Sequence, residues 1–159
     1  MTVTATPGTF FNPTPPAAVG ARALLNQRIV ELIFGALGPA LPERVSAGSG
    51  QWINPIFGGL DPKSGRRFVY YDYAVAGVGA RLTKDGVDAV SPIVSVENIP
   101  VEAQESRNPI LVERFELVTD SGGAGRTRGG LAVRKDVRML VDGVTLSNLT
   151  DRQRFPPYG

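Results

Sequence analysis

The chain has 159 residues, 42% of them hydrophobic, and a formal net charge of +2. It contains neither cysteine nor histidine, which excludes disulfides, thiolate nucleophiles, Ser-His-Asp triads and zinc sites built from nitrogen and sulfur. Only a metal site built from carboxylates or carbonyls could remain, and no residue is assigned to one. The small, dispersed charge does not indicate nucleic-acid binding, and no stretch approaches the roughly 20 apolar residues of a membrane span.

The start also lacks the basic and apolar regions of a signal peptide, so a cytoplasmic protein is expected. Residues 1–16 contain four prolines. This lead-in is predicted to run extended over a neighbouring surface, because proline restricts the backbone and removes a hydrogen-bond donor. Residues 17–159 are predicted to form a single domain, which at this chain length should bury about 68–70% of the unfolded surface.

An amphipathic helix is predicted directly after the lead-in, since apolar residues recur at the spacing of one helix face. The polar residues Gln27, Arg28 and Glu31 fall elsewhere on the helical wheel, so the apolar stripe is predicted to face the core. Gly38 and Pro39 are predicted to end the helix. The stripe consists of Leu25, Ile29, Leu32, Ile33 and Ala36.

Strand patterns dominate the remainder of the chain. Residues 68–75 are rich in β-branched and aromatic side chains and predict a central strand. Residues 110–118, 131–139 and 144–149 predict three more strands, the second of them half-buried with Lys135 on its inner face. The predicted fold class is α+β: a mostly antiparallel sheet with one amphipathic N-terminal helix.

Turns are predicted where glycine can supply a positive φ. They lie at residues 84–86, ending in Gly86, and at residues 142–143, ending in Gly143. Near the end of the chain, Arg152 and Arg154 are predicted to pair with surface carboxylates.

The most distinctive stretch is residues 100–130, PVEAQESRNPILVERFELVTDSGGAGRTRGG. Its glycine-rich loop, residues 121–130, could present backbone N–H groups and guanidinium groups to a carboxylate or phosphate. It could also be a structural link between two strands, and the absence of Walker spacing favours that interpretation. The candidate anion-binding residues of the loop are Gly122, Gly123, Gly125, Arg126 and Arg128.

Other candidates are weaker. Arg81 follows a pair of glycines that could approach a ligand. Glu102 and Glu105 could position water or a metal, or form salt bridges with a neighbouring arginine that lock a loop. Asn54 could line a pocket for a small cyclic substrate beside Trp52, or Trp52 could be a buried residue at a turn.

Residues 100–130 resemble the hydantoinase B/oxoprolinase family, and five further blocks resemble successive parts of that family in the same order. The blocks are GTFFNPTPPAAVGAR, ALGPALPERV, GSGQWINPIFGG, RRFVYYDYAVAGVGARLTKDG and LTDRQRFPPYG. The resemblance covers nearly the whole chain. Because the B-type subunits of that family are several times longer, it implies an internal or carboxy-proximal portion of one.

The resemblance implies a domain or small split subunit of an ATP-dependent cyclic-amide hydrolase that contributes scaffold and part of the substrate site. ATP and a divalent metal are then expected on an A-type ATP-binding subunit or on the remainder of the B-type subunit. Arg126 and Arg128 would meet a phosphorylated, anionic intermediate. Two alternatives remain: a fragment of an acetone- or acetophenone-type carboxylase, and a non-catalytic assembly module whose lead-in and FPPYG end dock on other subunits.

Overall fold

The computed structural model describes residues 2, 4–20, 22–91 and 96–159. Over these residues the chain forms two α-helices, one short 3-10 helix and six strands in antiparallel sheets, which confirms the α+β class. The second α-helix was not predicted. In chain order the elements are α1 (Arg22–Leu37), the 3-10 helix (Pro42–Arg44), β1 (Trp52–Asp61), β2 (Arg66–Tyr71), β3 (Ala74–Val75), α2 (Val101–Arg107), β4 (Ile110–Leu117), β5 (Val133–Met139) and β6 (Thr145–Thr150).

β1 is the centre of the larger sheet. β2 and β3 pair with it along one edge, and β6 pairs along the other. The prediction of one central strand over residues 68–75 is therefore wrong, because that segment breaks near Asp72 into β2 and β3 and lies beside β1. Sequence patterns missed β1 because Pro55, Gly58 and Gly59 are residues that ordinarily weaken a strand.

β4 and β5 form a separate two-stranded ribbon, and both were predicted. The turn after β5 is also confirmed, with Gly143 at φ 69°. β5 and β6 do not pair with each other, however, because β5 pairs with β4 and β6 pairs with β1. The turn thus carries the chain from one sheet to the other.

Helix α1 ends at Leu37, directly before Gly38, as predicted. Its buried residues are Gln27 and Glu31, whereas Leu32 is 61% exposed. None of the five residues of the predicted apolar stripe is buried. The prediction that this stripe faces the core is wrong, because charged residues at the end of β6 hold the helix by its polar side.

The proline-rich lead-in is exposed throughout residues 4–20. It contains a turn, in which Gly8 N donates to Asn12 O at 2.8 Å and Asn12 N donates to Thr9 O at 3.0 Å. This turn interrupts the extended run that was expected for residues 1–16, of which Met1 and Val3 lie outside the described residues.

The chain leaves an unusually large surface exposed. Its accessible area is 10,775 Å², whereas a folded monomer of 16.9 kDa is expected to expose about 7,700 Å². Against about 24,500 Å² for the unfolded chain, this corresponds to burial of about 56%, so the prediction of about 68–70% is wrong. Among the described residues, the buried hydrophobic side chains are Trp52, Tyr70, Val75 and Ile110.

Candidate functional site

The glycine-rich loop packs backbone against backbone on residues 77–88. Gly130 N donates to Val78 O at 3.0 Å, and Gly86 N donates to Arg128 O at 2.7 Å. A Cβ on Gly130 would lie 2.1 Å from Val87 O, and one on Gly86 would lie 2.0 Å from Val78 O. Gly86 does not have a positive φ, so its predicted role is wrong. Glycine is required at these two positions because the backbone of the loop lies very close to the backbone of residues 77–88.

The two arginines of the loop already form contacts with other residues of the chain. Arg126 Nη2 donates to Leu82 O at 2.8 Å. The Arg128 guanidinium pairs with Asp120, and its backbone N–H donates to Asp85 Oδ1 at 2.7 Å. A guanidinium carries five N–H donors, so Arg126 keeps donors available for a ligand, while the charge of Arg128 is offset by a carboxylate.

An open cavity of about 1120 Å³ lies between this loop, the C-terminal end of α1 and residues 45–50. Thr127 Oγ1 donates to Arg81 O at 2.6 Å, which brings Arg81 beside the loop. The predicted residues that line the cavity are Gly123, Gly125, Arg126 and Arg81. The predicted residues outside its lining are Gly122, Arg128, Asn54, Glu102 and Glu105.

Apolar residues supply much of the remaining wall, among them Phe34, Val45 and Tyr158. Burial, together with the charge of Glu31, raises the pKa of Tyr158. The protonated phenol donates to Glu31 O at 2.8 Å, and Gly48 N donates to Tyr158 O at 2.8 Å. The FPPYG end of the chain therefore folds back onto α1 and closes one side of the cavity.

Asn54 and Trp52 lie inside the fold, on β1. Asn54 is 1% exposed and Trp52 is 3% exposed, and Asn54 Oδ1 and Trp52 Nε1 have no hydrogen-bond partner. Trp52 is buried, as one interpretation expected, but it begins a strand and does not lie at a turn. Its ring packs near that of Tyr73, with ring centroids 6.4 Å apart.

Glu102 and Glu105 lie on α2. Glu105 Oε1 accepts a hydrogen bond from Val112 N at 2.8 Å, which ties α2 to β4, and Glu102 is exposed. Among the residues that the structure describes, neither glutamate forms a salt bridge. The expected ion pairs are therefore absent there, and Glu105 instead binds the backbone of β4. No group of three or more acidic side chains that could hold a metal occurs in the described part of the chain.

Comparison with known proteins assigns the sequence to a family. All of residues 1–159 match the family described as hydantoinase B/oxoprolinase. The chain belongs to the hydantoinase B/oxoprolinase family. The resemblance predicted from its sequence blocks is confirmed.

Three relatives of the chain illustrate the range of the family. It is 33% identical, over 99% of its length, to the B-type subunit of a putative D-/L-hydantoinase from a Pseudomonas species. It is 30% identical over 96% of its length both to the beta chain of the caprolactamase of Pseudomonas jessenii and to 5-oxoprolinase PfmaA of Pestalotiopsis fici. The matches cover 26%, 27% and 12% of those proteins, respectively, so the chain spans about a quarter of their length or less.

The two sheets of the chain are joined by a buried polar cluster. Lys135 Nζ lies 2.6 Å from Asp72 Oδ2, 2.9 Å from Gln104 Oε1 and 3.3 Å from Tyr70 Oη. The predicted inward position of Lys135 is confirmed, since its side chain is 7% exposed. Burial raises the pKa of Tyr70, and the neighbouring Asp72 raises it further, so the phenol stays protonated and donates to Gln104 Oε1 at 2.6 Å.

A second buried cluster joins α1 to the end of β6. Arg28 Nε lies 2.6 Å from Asp151 Oδ2, and Arg28 and Arg152 both contact the Glu31 carboxylate. Arg152 therefore pairs with a buried carboxylate, which corrects its predicted surface role. Burial raises the pKa of Glu31, but the hydrogen bond and charge of Arg28 outweigh it and leave that pKa below its usual value. Glu31 is thus ionised at neutral pH.

No helix in the described ranges is both long and apolar enough to cross a membrane.

Proposed function

We propose that the chain is a domain or small subunit of an ATP-dependent cyclic-amide hydrolase, in which it supplies scaffold and part of the substrate site. The observation that carries this proposal is the family match over all 159 residues. The names of the three relatives support it, because hydantoin, caprolactam and 5-oxoproline each contain a ring amide.

The chain would work in the cytoplasm with partners. Its glycine-rich loop lacks the spacing of a phosphate-binding loop, so ATP would be bound by an A-type subunit. The divalent metal would be held by that subunit or by the remainder of the B-type polypeptide. Two of the relatives are named as subunits, which supports an assembled enzyme.

Arg126 and Arg81 are the residues that we propose meet an anionic group of the activated substrate. Both line the cavity, and guanidinium groups form strong, directional hydrogen bonds to carboxylates and phosphates. The apolar wall beside Tyr158 would accommodate the rest of the molecule. Arg128 would contribute less, because Asp120 already pairs with it. Asn54, Glu102 and Glu105 lie away from the cavity and have no part in this proposal.

The test uses the assembled enzyme, with this chain, its A-type subunit and the remaining B-type polypeptide. The substitution R126A, alone and combined with R81A, is expected to lower kcat/KM for hydantoin or 5-oxoproline at least tenfold in the presence of ATP and Mg²⁺. The matched control is R67A, an exposed arginine on β2, which should leave kcat/KM unchanged. If the double variant keeps the kcat/KM of the unmodified enzyme, the cavity is not part of the substrate site.

An assembly module is the second candidate function, and the large exposed area of the chain favours it. In that case the assembled complex should retain its turnover in the double arginine variant, yet lose it when this chain is withdrawn. The carboxylase alternative is tested in the same assay, with acetone and bicarbonate replacing the cyclic amide.

A further inference from the structure

Helix α1 carries an aliphatic stripe on the side opposite its buried residues Gln27 and Glu31. Two members of the stripe, Leu32 and Ala36, are exposed, and the other three, Leu25, Ile29 and Ile33, are partly exposed. Leu32 is 61% exposed, and no member of the stripe carries a charge. Stripes of this spacing normally face a packed partner.

The helix cannot turn this stripe inward without breaking the contacts of its polar side. Arg28 Nη2 donates to Gly50 O at 2.9 Å, and Ser49 N donates to Glu31 Oε1 at 2.9 Å. The ion pairs of Arg28 and Glu31 with Asp151 and Arg152 are largely buried. Leaving such charges unpaired is strongly unfavourable, so the stripe stays on the outer side.

We infer that the aliphatic stripe of α1 docks against an apolar segment of the remaining B-type polypeptide. The chain exposes 10,775 Å², about 3,000 Å² more than a compact monomer of its mass. Even an obligate homodimer interface of about 2,000–5,000 Å² in total would cover only about 1,000–2,500 Å² of each copy. Further polypeptide therefore accounts for the extra exposed area better than a second copy does. Relatives such as the Pseudomonas B-type hydantoinase subunit are about four times longer than this chain.

This inference rests on the proposed partnership with the remaining B-type polypeptide, and not on the proposed reaction. The probe is the complex of the A-type subunit with the remaining B-type polypeptide, which is the assembly of the hydrolase test without this chain. Binding is measured by titration calorimetry without ATP or substrate. A failed hydrolase assay therefore leaves this result unaffected, and a failed binding assay does not by itself exclude turnover.

The decisive variant is L32E, and the matched control is L146E, which changes an equally apolar leucine that is 54% exposed on β6. We expect L32E to weaken binding at least tenfold and L146E to change it less than twofold. Urea unfolding of both variants should match that of the unmodified chain, because both leucines are exposed.

Three results would overturn the inference. The unmodified chain could fail to bind the probe, or L32E could bind as tightly as the unmodified chain. The isolated chain could also be a dimer that L32E converts to a monomer, which would identify a second copy as the occupant of the stripe.

Discussion

Lys135 is a charged residue on an inner strand face, with its ammonium group in contact with Asp72, Gln104 and Tyr70. Its side chain and that of Asp72 are 7% and 8% exposed. Because little water reaches either charge, each depends on the other for compensation. The cluster also joins β5, α2 and the β2–β3 segment, so one residue connects the two sheets.

Replacing Lys135 with methionine is expected to lower the free energy of unfolding by about 3–5 kcal/mol, since the buried Asp72 carboxylate would lose its partner. The matched control is R138M, because the Arg138–Glu113 pair is about half exposed and exposed pairs contribute about 0–1 kcal/mol. Urea unfolding followed by Trp52 fluorescence gives both values. Equal losses in K135M and R138M would contradict the structural role of the buried pair.

Arg152 illustrates a residue whose environment only the fold decides. The local sequence DRQRFPPYG is polar and proline-rich and is typical of a surface. The side chain is nevertheless 14% exposed and contacts Glu31, which lies 121 positions earlier in the chain. No local pattern contains that contact.

At the scale of elements, the glycine-rich loop is held mainly by its backbone. Gly130, Gly77 and Gly122 each lie so close to another backbone segment that an added Cβ would come within 2.2 Å of a carbonyl atom. The glycine content that looked like a ligand-binding signal therefore has a packing explanation. It still leaves Arg126 and Arg81 facing the cavity.

The substitution G130A is expected to destabilise the chain by roughly 1–3 kcal/mol, because its Cβ would meet Val87 O at 2.1 Å and overpacking has costs of this size. The matched control is G123A in the same loop, where no other atom lies within 4 Å of the added Cβ. It should change stability by less than about 0.5 kcal/mol. If thermal unfolding shows G123A to be no more stable than G130A, the loop is not packed in this way.

Helix α1 shows how periodicity can locate an element correctly and still assign its faces wrongly. The 3.6-residue spacing predicted a helix, and Gly38 predicted its end. The same spacing cannot show which side of the helix packs against the domain, because one side can bury apolar side chains and the other can bury paired charges. Here the ion pairs of Arg28 and Glu31 fix the polar side inward.

At the scale of the whole molecule, the exposed apolar surface is the dominant feature. Twenty large hydrophobic residues of the described ranges are exposed, including Val69 at 72% and Leu32 at 61%. Some exposed apolar area is normal in any protein. The total accessible area of the chain is, in addition, about 40% above the expectation for a monomer of its mass.

We predict that the folded chain binds the dye ANS at neutral pH while keeping a structured near-UV circular dichroism spectrum from the buried Trp52. Dye binding without loss of that spectrum separates exposed native surface from a molten globule, which lacks fixed side-chain packing. ANS fluorescence should fall when the remaining B-type polypeptide is added. A native chain that binds no ANS would contradict the uncovered surface.

From the sequence alone, the family, the α+β class, strands β4 and β5, the end of α1 and the inward position of Lys135 could be predicted. Alternating side chains, glycines and helix-stop residues act over a few positions, so they are visible in a single chain. The Gly143 turn belongs to the same group, because its positive φ is a local property.

Only the tertiary structure decided that β1 is central, that α1 faces the domain with its charged side, and that Arg81 and Arg126 share a cavity. Each depends on contacts between distant residues, such as Asp72 with Lys135, 63 positions apart. Local propensity is too weak to specify such contacts, because they depend on which buried charges find partners and which backbones can approach each other. The sequence predicts most elements of this protein, and long-range pairing determines their faces and neighbours.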